Sequence, residues 1–321
     1  MNYLLLIIGF VLLTLSADWL INGASGLAKR LNISDLVIGL TIVAFGTSAP
    51  ELVVNIVAAT EGSSDIALTN ILGSNIINTL IILGISATIY PVACQKSTFR
   101  IEIPLSALAG LAALLLGTNF FGYLHLNESN LGISRIDGII LLVIFTCFCT
   151  YTIYQGLHNR DNSSTENYTA IPIWKAILLI ILGLTGLIIG GELIVNNAVT
   201  IAQSWGISES VIGVTVVALG TSLPELATSA MAALKKNTDL AIGNVIGSNI
   251  FNVFFVLGIS SVINPLTSYP NLQVDAAMAA GSSLLLLLFI LISRKRNINR
   301  IEGISMLTIY GIYLAWLLST L

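Results

Sequence analysis

Charge is what this sequence has least of. Asp, Glu, Lys and Arg make up only 9% of its 321 residues, against about a quarter in a soluble domain. Histidine occurs twice and cysteine three times, as Cys94, Cys147 and Cys149. The cysteines lack metal-ligand spacing and form no even framework, which excludes a thiolate metal centre and a disulfide scaffold. Cys147 and Cys149 stand in an apolar run and read as small buried hydrophobes. The longest polar gap, Gln155 to Thr169, is rich in Asn, Ser and Thr and is too short for a folded regulatory domain. No basic residue precedes the first apolar run, which follows Met1-Asn2-Tyr3. That end is therefore expected to be a first span rather than a cleaved signal.

Apolar residues fill the space that charge leaves. They make up 55% of the chain, and the mean hydropathy is +0.93, so the class is a polytopic membrane protein. Ten apolar segments, 3–27, 35–59, 66–90, 101–118, 134–156, 172–198, 209–233, 240–263, 272–293 and 301–320, each approach the roughly 20 residues that cross a bilayer. Of the 13 Lys and Arg residues, 12 fall in the loops after odd-numbered spans, and only Arg135 lies in the others. By the positive-inside rule both termini face away from the cytoplasm.

The chain contains itself twice. Asp18 and Glu192, Glu51 and Glu225, Asn78 and Asn252, and Pro91 and Pro265 all match at a constant offset of 174 residues. Shared strings include Gly39-x-Thr41 with Gly213-x-Thr215, and Gly73-Ser74-Asn75-Ile76-x-Asn78 with Gly247-Ser248-Asn249-Ile250-x-Asn252. Each copy has about five spans, an odd number, so the second copy enters the membrane upside down. The charge bias agrees: Glu61-Gly62-Ser63-Ser64 has no basic residue, while its mate begins Lys235-Lys236. The expected fold is thus all-α, ten transmembrane helices in two inverted five-helix repeats. The first covers 1–156, with its core at 35–90, and the second 172–321, with its core at 209–263. A cytoplasmic linker, 157–171, joins them. Inverted repeats with helices broken near the midplane are an architecture of secondary transporters.

Two short stretches carry the chemistry, Gly46-Thr47-Ser48-Ala49-Pro50-Glu51 and Gly220-Thr221-Ser222-Leu223-Pro224-Glu225. An ionisable residue inside a membrane segment is a functional hypothesis by default. Pro50 has no N–H for the carbonyl of Gly46, so the helix must kink or unwind there. Carbonyls freed at that depth are tolerated only when buried in protein or lining a polar cavity. Ser74 and Asn78 are four apart and share one helix face, as do Ser248 and Asn252, Thr47 and Glu51, and Thr221 and Glu225. If the repeats face each other, two carboxylates, two amides and six hydroxyls gather at the midplane, an oxygen set suited to hard cations such as Ca²⁺ and Na⁺. Two formal negative charges balance one divalent or two monovalent cations.

Gly/Ser/Thr-rich apolar helices also serve as close-packing interfaces, an alternative that stands for Gly73, Ser74, Gly247 and Ser248 taken alone. Asp18 and Glu192 fit either structural pairing, a vestibule role or direct ion handling. Asp65 and Asp239 are expected to cap the helices that follow. His125 and His158 fall in loops and are expected to face solvent, and Asn127-Glu128-Ser129 fits the glycosylation pattern.

The paired Gly-Thr-Ser-x-Pro-Glu and Gly-Ser-Asn-Ile-x-Asn motifs resemble the α-repeats of the calcium/cation antiporter superfamily, the sodium/calcium exchangers and their prokaryotic relatives. The resemblance spans essentially the whole chain. It implies ten helices, with the second, third, seventh and eighth forming an ion-binding core. It implies that Glu51 and Glu225 hold Ca²⁺, and that Thr47, Ser48, Ser74, Asn78, Thr221, Ser222, Ser248 and Asn252 complete the Ca²⁺ and Na⁺ sites. The backbone carbonyls of Ala44 and Ala218 match family positions that bind Na⁺. Several family members carry Asp where this chain has Asn252, so one titratable group is missing here.

The expected function is secondary active exchange of Na⁺ for Ca²⁺ by alternating access, in a prokaryotic cytoplasmic membrane. The lipid bilayer is the surroundings, the ions are substrates, and the functional unit is a monomer. Neither a cofactor nor nucleic acid is expected. Within transporters the alternative is a Ca²⁺ exchanger driven by H⁺, or by K⁺ with Na⁺. A cation channel needs a continuous pore, against which an internal inverted pair speaks. An intramembrane enzyme finds no support, because the matching membrane acids form a repeat rather than a catalytic dyad.

Overall fold

The computed structural model describes residues 1–95, 97–117, 131–158, 170–207, 209–212, 215–216, 218–267, 272–293 and 296–319. Its helices follow the hydropathy. They are α1 (Asn2–Leu31), α2 (Asp35–Thr47), α3 (Ala49–Thr60), α4 (Ser64–Ile89), α5 (Thr98–Leu116), α6 (Arg135–His158) and α7 (Ile173–Ser204). The second half continues with α8 (Glu209–Ile212), α9 (Ala218–Gly220) and α10 (Leu223–Leu234), then α11 (Thr238–Ile263), α12 (Leu272–Ile292) and α13 (Arg300–Ser319). Among the described residues eight helices are long and apolar enough to cross a membrane, and the bent pair α2–α3 makes a ninth span. The expected seventh span, 209–233, holds α8, α9 and α10, with residues 213, 214 and 217, among them Gly213, outside the described residues.

The α2–α3 bend is 47°, and its cause is local. Ser48 leaves helical geometry at φ −85°, ψ 10°, just before Pro50, which cannot donate the next helical bond. Ser222, before Pro224, takes nearly the same values, φ −87° and ψ 5°. Other helices widen instead of bending. Asn78–Ile82 in α4 and Phe251–Leu257 in α11 form π-helical turns, a distortion that concentrates at functional sites.

Helices α4 and α11 are the central pair, with 72% and 78% of their most apolar windows buried. They run antiparallel, as three contacts require. Gln95, beyond the end of α4, donates to Asp239 in the first turn of α11 (2.6 Å). Asn264, beyond the end of α11, donates to the carbonyl of Ala59 shortly before α4 begins (3.2 Å). Midway, the Asn75 amide donates to the carbonyl of Asn249 (3.2 Å), its mate at the 174-residue offset. Two short ribbons tie the loops: β1 (Val92–Ala93) pairs antiparallel with β4 (Asn297–Ile298), and β2 (Leu131–Ile133) with β3 (Leu266–Thr267).

Close helix contacts rest on small residues, as expected where lipid removes the hydrophobic drive between helices. Helices α1 and α7 lie so near that a Cβ on Gly183 would stand 2.7 Å from the Leu20 nitrogen. On the outside, Ile7, Ile8 and Val11 of α1, Ile139 and Val143 of α6, and Ile301 and Ile304 of α13 are exposed, the apolar coat a bilayer requires.

Several local expectations need correction. Cys147 is exposed and Cys149 intermediate, whereas Cys94 is buried; an apolar run in a membrane helix serves the lipid face as readily as the core. Asp65 and Asp239 lie in the first turns of their helices, and the caps are Ser63 and Asn237. Asn237 Oδ1 accepts from Leu240 N, and its Nδ2 donates to Ser25 and Asp35. His158 closes the α6 helix rather than lying in a loop. His125 and Asn127-Glu128-Ser129 fall outside the described residues.

The antiparallel core makes a sided prediction. In a background with Cys94, Cys147 and Cys149 replaced by alanine, Glu61→Cys and Lys236→Cys, both at exposed positions, should react with an impermeant maleimide from opposite faces of the membrane. Labelling of both from one face contradicts the inverted arrangement.

Candidate functional site

The site forms where the α2–α3 and α9–α10 breaks meet the middles of α4 and α11. Glu51 lies in the first turn of α3 and Glu225 in the first turn of α10. Each helix N-terminus thus turns its positive end toward a carboxylate. Both side chains are fully buried, at 0% exposure.

Hydroxyls from both repeats converge on one oxygen of each acid. Ser48 Oγ donates to Glu225 Oε1 (2.8 Å) and Ser248 Oγ to the same atom (3.4 Å). Ser74 Oγ and Ser222 Oγ donate to Glu51 Oε1, at 3.4 and 3.5 Å. Ser48 and Ser222 therefore cross from one repeat to the acid of the other. The second oxygens, Glu51 Oε2 and Glu225 Oε2, are buried with no hydrogen-bond partner, as are both polar atoms of Asn78 and Oδ1 of Asn252. Asn252 Nδ2 donates to Asn75 Oδ1 (3.1 Å), and Asn249 Nδ2 donates to Thr79 Oγ1 (2.8 Å). These amides lace α4 to α11 beside the acids.

Thr47, Ser48, Ser74, Asn78, Ser222, Ser248 and Asn252 are all buried with the two acids. Thr221 is half-buried in the break between α9 and α10. Ala44 is buried, and its carbonyl accepts from Ser48 N at 3.0 Å; Ala218 opens α9. Asp18 and Glu192 stand apart from this set. Asp18 pairs with Lys235 (2.6 Å), and Asn22 joins them, accepting from Lys235 at 2.8 Å and donating to Asp18 at 2.9 Å. Glu192 is exposed, and so is Glu61, the mate of Lys235.

Buried carboxylate and amide oxygens without partners are costly in a medium that supplies no water. What they can accept is a cation. Among the described residues no group of three or more His, Cys, Asp or Glu exists. The donor set is two carboxylates plus neutral oxygens, the chemistry of hard ions rather than of zinc or copper.

Sequence reasoning missed Asn70 and Asn244, which stand beside the acids. Asn70 Nδ2 donates to Asn55 Oδ1 (2.6 Å) and reaches the Glu51 carbonyl (3.5 Å). Asn244 Nδ2 donates to Ser229 Oγ (2.9 Å) and the Glu225 carbonyl (3.4 Å). The two asparagines also match at the 174-residue offset, and that was the available signal.

The chain is similar to known proteins along nearly its whole length. The chain is 42% identical to the protein CaxA of Alkalimonas amylolytica, with 92% of each chain covered. It is 32% identical to the sodium/calcium exchanger MaX1 of Methanosarcina acetivorans, with 98% of this chain and 97% of that one covered. A solved structure of the sodium-calcium exchanger NCX_Mj, soaked with 2.5 mM Na⁺ and 1 mM Sr²⁺, superposes with a TM-score of 0.83 at 33% identity, covering 98% of this chain and 97% of that one. The family model described as sodium/calcium exchanger protein matches residues 1–154 and 175–319. With paired motifs, a buried oxygen site and near full-length matches in agreement, the chain belongs to the sodium/calcium exchanger family.

Proposed function

We propose that this protein exchanges Na⁺ for Ca²⁺ across the membrane by alternating access. The ions are substrates, held between the repeat 1–156 and the repeat 172–321, with 157–171 as a cytoplasmic linker. Glu51 and Glu225 are the charged ligands. Thr47, Ser48, Ser74, Asn78, Thr221, Ser222, Ser248 and Asn252, with the carbonyls of Ala44 and Ala218, complete the coordination. Both termini face away from the cytoplasm, the protein is an integral protein of the cytoplasmic membrane that works as a monomer, and no cofactor or catalytic residue takes part.

One observation carries this reading. Glu51 Oε2, Glu225 Oε2, Asn78 Oδ1 and Asn252 Oδ1 are four buried oxygens without partners, in a neighbourhood where every site serine already spends its proton on a carboxylate. Oxygens that have lone pairs to give and no hydrogen to accept are ligands for a metal ion. Two negative charges match one Ca²⁺ or two Na⁺, so the two kinds of ion must compete for the same oxygens. Antiport requires that competition.

Calcium uptake into proteoliposomes tests the coupling. Uptake should follow an imposed outward Na⁺ gradient and ignore imposed K⁺ or pH gradients. Drive by H⁺, or a strict need for K⁺, contradicts Na⁺/Ca²⁺ exchange. Glu51→Gln and Glu225→Gln each keep the shape of the site and remove half its charge. Stranding a buried ion without its counter-charge costs about 3 kcal/mol or more, so Ca²⁺ affinity should fall by roughly 100-fold or more. Titration of the purified variants by calorimetry checks this, and wild-type affinity in either removes that residue from the site.

Asn252→Asp tests the neutral position. Its new carboxyl adds a negative charge only once its proton leaves, so Ca²⁺ uptake by this variant should rise with pH across the range where that proton is lost. The parent should stay flatter over the same range. Identical pH profiles mean either that position 252 does not face the ions or that the new acid keeps one protonation state throughout, and a direct Ca²⁺ titration of the variant distinguishes the two.

A further inference from the structure

Most helical threonines among the described residues share one local bond, although Thr60 bonds three residues back and Thr98 and Thr228 are buried without a partner. Thr14, Thr41, Thr88, Thr146, Thr150, Thr152, Thr200 and Thr308 each donate their hydroxyl proton to the carbonyl four residues earlier, at 2.6–2.9 Å. That local bond is the ordinary resting place for a hydroxyl inside an apolar helix. Thr47 departs from it. Its hydroxyl donates across to Asn244 Oδ1 on α11, at 3.1 Å, and its only contact with its own helix is a longer one, 3.4 Å, to the carbonyl of Ala44.

The Asn244 amide is itself held from behind. Its Nδ2 donates to Ser229 Oγ and to the Glu225 carbonyl, both on α10, which fixes the amide with Oδ1 toward Thr47. Asn244 is 0% exposed, as is Thr47. One side chain on α11 thus braces the backbone of one charged residue and takes the proton of a hydroxyl in the other repeat. A threonine hydroxyl has one proton and two lone pairs. It can coordinate a cation only if the proton points away from the ion, and Asn244 provides the place for it to point.

We propose that Asn244 is a positioning residue for ion binding: it orients the Thr47 hydroxyl so that its lone pairs face the ion site, and it ties that orientation to the Glu225 backbone. The inference rests on the reading of Thr47 as an ion ligand. Asn244 does not touch the ion, and its influence runs through Thr47. Its repeat mate Asn70 braces the Glu51 carbonyl in the same way, its Nδ2 donating there and to Asn55 Oδ1, but among the described contacts no threonine donates to its Oδ1, so the device is built fully on one side only.

A double-mutant cycle separates positioning from general support. Apparent affinities for Ca²⁺ and Na⁺ are measured in purified, monodisperse wild type, Asn244→Leu, Thr47→Val and the double variant. Asn244→Leu should weaken ion affinity about tenfold, the scale of one oriented hydrogen bond in a buried site, and by twofold or less in the Thr47→Val background. Asn244→Asp keeps an acceptor for Thr47, so in that background Thr47→Val should cost as much as in wild type. If Asn244→Leu does not fold, the Asp cycle decides alone: a Thr47→Val loss there equal to wild type supports the proposal, and a smaller one overturns it. Equal losses from Asn244→Leu in both Thr47 backgrounds make Asn244 a structural residue and overturn the proposal while leaving the site intact. A Thr47→Val variant with unchanged ion affinity overturns both the ligand reading of Thr47 and the positioning role built on it.

Discussion

A carboxylate removed from water and left without a counter-charge costs several kcal/mol, and Glu51 and Glu225 are both fully buried where the two repeats meet. Their accommodation governs much of the surrounding structure. The proline before each acid starts a new helix, so each carboxylate sits in a first turn with the helix dipole in its favour. Four serines, two on the breaks and two on the central helices, give their protons to one oxygen of each acid. The remaining oxygens stay free of protein partners. A fully paired site would satisfy the protein and bind nothing.

The inverted repeat converts these local devices into one site. Because α4 and α11 run antiparallel and touch through Asn75 and Asn249, the serine and asparagine of each repeat fall at one depth. The π-helical turns at Asn78–Ile82 and Phe251–Leu257 occur at matching positions, where a regular helix would rotate later residues differently. Crossed bonds, Ser48 to Glu225 and Ser222 to Glu51, make each half of the site depend on the other repeat.

Much of this was legible in the sequence. Hydropathy placed the spans within a few residues of the observed helices, and the proline before each acid located both breaks. The 174-residue offset brought Glu51, Ser74, Asn78 and their mates together before any geometry was known. What escaped depends on the approach of distant segments. Nothing near Asn244 announces that its amide meets Thr47 across 197 residues of chain. Cys147 and Cys149 share one apolar run, and only the packing of α6 shows which flank faces lipid. Asn237 rather than Asp239 caps the helix because the first turn begins one residue earlier, at Thr238, which puts Asp239 inside it, where it accepts from Gln95 of another loop.

The pair between Asp18 and Lys235 breaks the symmetry that the rest of the site respects. At the equivalent place in the other repeat stand Glu192 and Glu61, two acids that cannot attract each other. Helix α1 is thus tethered to the end of α10 by an ion pair and an asparagine, while the matching positions on α7 and at the end of α3 carry like charge. The tether is partly open to solvent, with 39% of the Asp18 side chain exposed, so it is worth about 1 kcal/mol or less and weakens with salt. A machine built from two equal halves would rest equally in its two mirror-related poses. This one carries a small counterweight on a single side, and the ionic strength of the solution bathing Lys235 sets how heavy that counterweight is.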